Sequence, residues 1–158
     1  MLCPPPSLIG KDYVISATLL CLVVGISDGD TLTARCGQPG AYEQVKVRIH
    51  AIDAPERKQP FGNRSRESLS DLCFQQQARI QHQDTDRYGR MVASVECRGK
   101  DVAQHQVGTG MAWVYVKYAK GRSDLFKLEK QAQQAASGLW SDQSPIAPWD
   151  WRRTASNQ

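Results

Sequence analysis

Residues 47–56, Val-Arg-Ile-His-Ala-Ile-Asp-Ala-Pro-Glu, set one fixed cation, Arg48, close to two carboxylates, Asp53 and Glu56. Pro55 fixes its own φ and keeps Ala54 extended, so both acids project from a stiff bend. Two other stretches carry similar groups. Ile26-Ser27-Asp28-Gly29-Asp30-Thr31-Leu32 places two acids around a glycine, and Thr85-Asp86-Arg87-Tyr88-Gly89-Arg90 carries a tyrosine and two arginines. Carboxylates and backbone carbonyls hold hard divalent cations, and arginines grip phosphate bidentately. Such a set suits phosphodiester hydrolysis, which needs phosphate charge screened, a water delivered in line and growing oxyanion charge stabilised.

Singly, each motif has a plainer role. Asp-Gly between apolar runs is a common hairpin signal, Arg48 can be a solvated strand residue, and Arg87 with Arg90 an exposed basic tip. Together, and followed by Gly110-Met111-Ala112 and Gly138-Leu139-Trp140-Ser141, the three stretches resemble the staphylococcal nuclease (thermonuclease) family from about Val23 to Trp140. The resemblance implies an oligonucleotide-binding barrel. It implies one calcium ion on Asp30, Asp53 and the carbonyl of Ala54, with magnesium or manganese as substitutes. Glu56 becomes the general base, while Arg48 and Arg90 hold the scissile phosphate. Arg87, Tyr88 and Tyr118 match substrate-binding positions, and Asp28 matches an acid outside the inner metal shell. DNA and RNA are the implied substrates, cut with little sequence preference to leave 3′-phosphate ends. Three departures stand out: Ala54 replaces a threonine, the 57–63 loop is shorter, and the aromatic pattern near Tyr115 and Val116 is shifted, with Trp113 added.

Strands must position these groups. Val45, Val47, Ile49 and Ala51 alternate with Lys46, Arg48 and His50, a period of two. Arg48 and Asp53 have opposite parity, so a shared site predicts a bulge or strand end between His50 and Asp53. Residues 18–27 and 31–36 read as a hairpin around the Asp-Gly turn, 43–52 as the third strand, and 77–84 and 91–97 as the fourth and fifth. A helix begins at Asn63, its N-cap, with Leu69, Leu72 and Cys73 inward. Asp101 caps a short helix through Val107, and residues 111–118 are extended or irregular. Ser123 caps the last helix, where Leu125, Leu128, Ala132, Ala135 and Leu139 recur at helical steps until Gly138 stops it. The fold class expected is α+β: a five-stranded OB-fold barrel with about three packed helices. Residues 1–17 read as a disordered or processing segment, 18–141 as the domain, and 142–158 as a Pro- and Trp-containing tail that docks by its tryptophans.

The 158 residues suffice for one domain, and the net charge of +4 suits a polyanionic partner without establishing one. No apolar run reaches the ~20 residues of a membrane span, and a monomer is expected. Of the five cysteines, none forms a CxxC pair, which argues against zinc. Cys21 and Cys36 flank the Asp-Gly hairpin almost symmetrically. The favoured reading pairs them, and pairs Cys73 with Cys97; buried idle thiols remain the other reading. Disulfides imply an oxidising compartment, hence a periplasmic or secreted protein. Ile15-Ser16-Ala17 could pass for a cleavage site, although the segment makes a poor signal peptide, lacking a basic start and carrying prolines where the apolar region should be. Two other functions stay open: a non-catalytic module of the same fold binding nucleic acid or protein, and a disulfide-stapled structural domain.

Overall fold

Apolar side chains alternating along the early strands turn one face inward, and the sheet curls until that face closes on itself. A computed structural model describes residues 17–157, so the segment expected at 1–17 lies outside the described residues except for Ala17. In chain order the elements are β1 (Thr18–Asp28), β2 (Thr31–Cys36), β3 (Glu43–Ile49), β4 (Ile52–Asp53), α1 (Gly62–Cys73), β5 (Gln77–Thr85), β6 (Met91–Cys97), β7 (Lys100–Asp101), α2 (Val102–Gly108), β8 (Trp113–Val114), α3 (Ser123–Gln134) and α4 (Pro148–Ser156). Short 3-10 turns cover Val116–Tyr118 and Gly138–Ser141.

The main sheet runs β3-β2-β1-β5-β6-β7, and a parallel pairing of β3 with β6 closes it. Five strands thus form a barrel, and among the described residues four helices accompany it. Val23, Leu32, Val47, Ile49, Ile80 and Val95 fill the interior, and Leu69, Val102, Val107 and Leu125 extend the core to the helices. Cross-strand neighbours Cys21 and Cys36 are joined as a disulfide, and a second links Cys73 at the end of α1 to Cys97 in β6. The second bond ties helix to barrel across 24 residues of chain.

Several boundaries differ from expectation. β3 ends at Ile49, and Ala51 turns left-handed (φ 72°) before β4 resumes. That reversal is the break which the parity of Arg48 and Asp53 required. α1 starts at Gly62 with Phe61 in the cap position, not Asn63, and no side chain caps it. A Cβ on Gly62 would run into the Glu56 carbonyl, so close packing of the preceding loop sets the helix start. Ser123 is likewise the first helical residue and caps nothing; Arg122 takes the cap position. α3 stops at Gln134, where Ala136 turns left-handed, leaving Ala135 exposed; Gly138 belongs to the next turn. Gly138 and Gly110 both have positive φ, and their backbones lie too close to admit a side chain on either.

The C-terminal segment carries a helix. Pro148 stands at the first helical position, Asp150 in the first turn and Arg153 in the last, which are favourable placements for a proline and for charges at those ends. The outcome is a fourth helix, where about three were expected.

Candidate active site

The Asp28-Gly29-Asp30 turn is drawn into the protein instead of facing water. Gln106, fully buried in α2, donates from Nε2 to the Gly29 carbonyl (2.7 Å) and to the Ser65 carbonyl (3.0 Å). The Ser68 hydroxyl donates to its Oε1 at 2.7 Å. Gly29 lies so close to Ser65 that a side chain there would collide. Asp30 is consequently buried, and its Oδ2 accepts from the Ala54 amide (2.7 Å) while Oδ1 accepts from the Thr31 hydroxyl (2.8 Å). The amide after Asp53 therefore locks the hairpin tip against β4.

Arg48 stands between the two acids. Its Nη2 lies 3.4 Å from Asp30 Oδ2 and 3.2 Å from Asp53 Oδ1. Its Nη1 donates to the carbonyls of Ile49 (2.9 Å) and Ile52 (2.8 Å), so the strand break itself fixes the guanidinium. Asp53 is 1% exposed. Burial pushes its carboxyl above the usual range; the Arg152 hydrogen bond and the Arg48 charge oppose this, and Asp30 adds to it. Asp28, half-buried, is also raised, first by burial and then by Asp30 and Glu56.

Glu56 follows the Pro55 bend on the same rim. Its amide donates to Gln59 Oε1 at 3.0 Å, and its carboxylate is reached by Arg152, a residue that the sequence did not single out. Arg152 Nη2 and Nη1 meet Asp53 Oδ2 and Oδ1 at 2.6 Å and 3.2 Å, and Nη1 also meets Glu56 Oε1 at 2.7 Å. Those two acids hold the Arg152 guanidinium more firmly protonated than usual. Separations of 96 and 99 residues from these partners leave no local pattern by which to find it.

Arg90 is placed differently. Its Nε bonds Asp86 Oδ2 at 2.7 Å, and it forms no ion pair with Asp30, Asp53 or Glu56. Burial is the largest single influence on Asp86 and raises it, but hydrogen bonds from the Arg90 backbone and side chain and from the Tyr88 amide together prevail, holding it below the usual range. Register nevertheless brings the tip to the site's end of the barrel, since Met91 pairs with Val47 and Val92 with Arg48. Tyr88 is exposed, takes a hydrogen bond from Arg87 at 2.8 Å, and lies beneath both the Arg87 and Arg90 guanidiniums. Tyr118 is also exposed and packs edge-on against Tyr115. Tyr115 stacks face to face on Trp149 at 5.5 Å, while Trp113, the partner of Asp53 in the β4–β8 pairing, meets Trp149 edge-on and packs against Trp140. The aromatic segment thus adjoins the acids, and Trp149 of the C-terminal segment docks on it.

Among the described residues, no group of three or more His, Cys, Asp and Glu side chains is arranged to hold a metal. A site here must combine fewer carboxylates with backbone oxygen and water. The donors fit a hard divalent cation in chemistry: Asp30 and Asp53 converge on one Arg48 nitrogen, and all donors are oxygens.

Residues 46–142 match the family described as staphylococcal nuclease homologue. An uncharacterized endonuclease of Haemophilus influenzae is 43% identical over 133 residues, covering 84% of this chain and 72% of the relative. The micrococcal nuclease of Shigella flexneri is 36% identical over 145 residues, covering 85% and 81%. An uncharacterized endonuclease of Escherichia coli O157:H7 is 36% identical over 146 residues, covering 89% and 92%. A closed five-stranded barrel, a match across most of its length and relatives of similar size lead to one conclusion: this chain belongs to the staphylococcal nuclease homologue family.

Proposed function

We propose that the protein is a calcium-dependent endonuclease that hydrolyses phosphodiester bonds of DNA and RNA with little sequence preference. One observation carries the reading: Asp30 from a hairpin tip and Asp53 from a broken strand meet at Arg48, and Arg152 joins Asp53 to Glu56. Asp30, Asp53 and the Ala54 carbonyl would hold a hard divalent cation, calcium first and magnesium or manganese as substitutes. Such an ion supplies screening of phosphate charge.

The chain's own groups do the rest. Glu56 takes a proton from the attacking water as its oxygen bonds to phosphorus. Arg48 binds a phosphoryl oxygen and stabilises the charge that grows there. Arg90 joins by exchanging Asp86 for phosphate, like for like in charge. The P–O5′ bond breaks and that oxygen leaves as a hydroxyl, taking a proton from solvent, so the products carry 3′-phosphate and 5′-hydroxyl ends. Arg87, Tyr88 and Tyr118 contact phosphate and base faces, which every sequence presents. The protein acts as a monomer, and its two disulfides suit the periplasm or the exterior of the cell.

Plasmid DNA and a long RNA incubated with calcium, magnesium or manganese, with and without chelator, test this directly. Cleavage that needs the ion, with 3′-phosphate ends, supports it; chelator-resistant cleavage or 5′-phosphate ends refute it. The full engagement of Asp53 by arginines favours a second reading, a non-catalytic nucleic-acid- or protein-binding module. That reading expects affinity without cleavage in the same tubes.

A further inference from the structure

Two guanidinium groups contact Asp53, and they are held in different ways. Arg48 is tied to the backbone by the Ile49 and Ile52 carbonyls and cannot leave without giving up both hydrogen bonds. Arg152 has no such tether. Among the described residues its side-chain hydrogen bonds and ion pairs go to Asp53 and Glu56, and its side chain is 42% exposed. It arrives on α4, whose segment is docked at two other points: Gln59 Nε2 donates to the Ile146 carbonyl at 2.5 Å, and Trp149 packs on Tyr115 and Trp113. Gln59 also accepts from the Glu56 amide, so a single side chain couples the acid loop to the C-terminal segment.

We propose that Arg152 is an internal counter-cation that sets the site's affinity for divalent metal: an ion can use the Asp53 oxygens only by displacing this guanidinium, and the displacement also frees Glu56. The inference rests on the metal-centre reading above. Its basis is competition for the same oxygens. Asp53 Oδ2 has Arg152 as its hydrogen-bond partner, at 2.6 Å, and Oδ1 is shared by both arginines. A carboxylate this buried is costly without compensation, and the fold supplies a cation of its own in Arg152. The incoming ion then meets a fraction of sites already open, and its apparent dissociation constant is raised by the inverse of that fraction.

The test is calcium titration of the full chain by isothermal calorimetry, with thermal unfolding recorded at each calcium concentration. Arg152→Ala and Arg152→Gln are compared with wild type; Arg153→Ala, which removes a neighbouring charge paired with Asp150, is the control. Both Arg152 variants are expected to bind calcium about tenfold more tightly, as for a latch closed in about nine molecules of ten. Their unfolding temperature should also rise more steeply with calcium than that of wild type, while the control matches wild type. Equal or weaker binding by the Arg152 variants, with measurable wild-type binding, overturns the inference and leaves the metal centre standing. An equal gain in the Arg153 control also overturns it, because bulk charge would then account for the effect. No calcium binding by any protein overturns the inference and the metal-centre reading together.

Discussion

Of the three acids Asp30, Asp53 and Glu56, Glu56 is the most exposed, and its carboxylate pairs with Arg152. Chemistry and stability should therefore separate at this position. Glu56→Gln is expected to lower the cleavage rate by roughly 10²–10⁴-fold, with the urea midpoint barely moved. Assay and denaturation on one preparation check both. Arg90 offers a second residue-scale case. Asp86 is depressed in the folded protein, so its ionised contacts contribute stability above the unfolded pKa, and this is lost as pH falls through the lower folded value. Asp86→Asn should consequently destabilise by a constant amount at neutral pH, a difference that closes below about pH 4, the unperturbed carboxylate range. Urea unfolding of both proteins across pH shows the sign. Asp30, Asp53 and Glu56 were legible in the sequence because proline and glycine punctuate their motifs. Arg152 was not, since nothing local distinguishes it from other basic residues near a terminus.

At the scale of elements, the site depends on the inward-drawn hairpin tip. Gln106 joins α2 to the Gly29 and Ser65 carbonyls, and Ser68 completes its hydrogen bonding. Gln106→Leu leaves those buried carbonyls without a donor, at a cost of about 1–3 kcal/mol. Because Asp30 moves with the tip, activity should fall as well, although Gln106 touches none of the site acids. Differential scanning calorimetry paired with the nuclease assay checks the expectation, and unchanged values in both would discount the strut. The helix starts at Asn63 and Ser123 were misread for a related reason. Both residue types favour caps, but packing of the 56–62 loop and the charges around Arg122 set where α1 and α3 begin. Local propensity ranks candidates; the neighbouring backbone selects among them.

For the molecule as a whole, one disulfide closes the first hairpin and the other bolts α1 to β6. The paired variant Cys73→Ser/Cys97→Ser should lose about 2–5 kcal/mol of stability, measured by denaturant unfolding. Reductant should lower the wild-type melting temperature and leave that of a variant lacking all four bonded cysteines unchanged. A barrel closed by the parallel β3–β6 pairing has the site at the strand ends nearest that closure, so loosening the barrel should reach the acids as well as the core.

Sequence alone determined the five long strands along the chain, the need for a break before Asp53 and the family resemblance, because period-two alternation, turn residues and motif order are local and directional. It also supplied the acids and Arg48. Only the tertiary structure decided that Asp30 is pinned by the Ala54 amide, that Arg90 is held by Asp86, and that a C-terminal helix delivers Arg152 to Asp53 and Glu56. These contacts join residues far apart along the chain. Their formation depends on which buried charges find a partner once the barrel has closed, and that balance of burial against pairing is written in no single stretch.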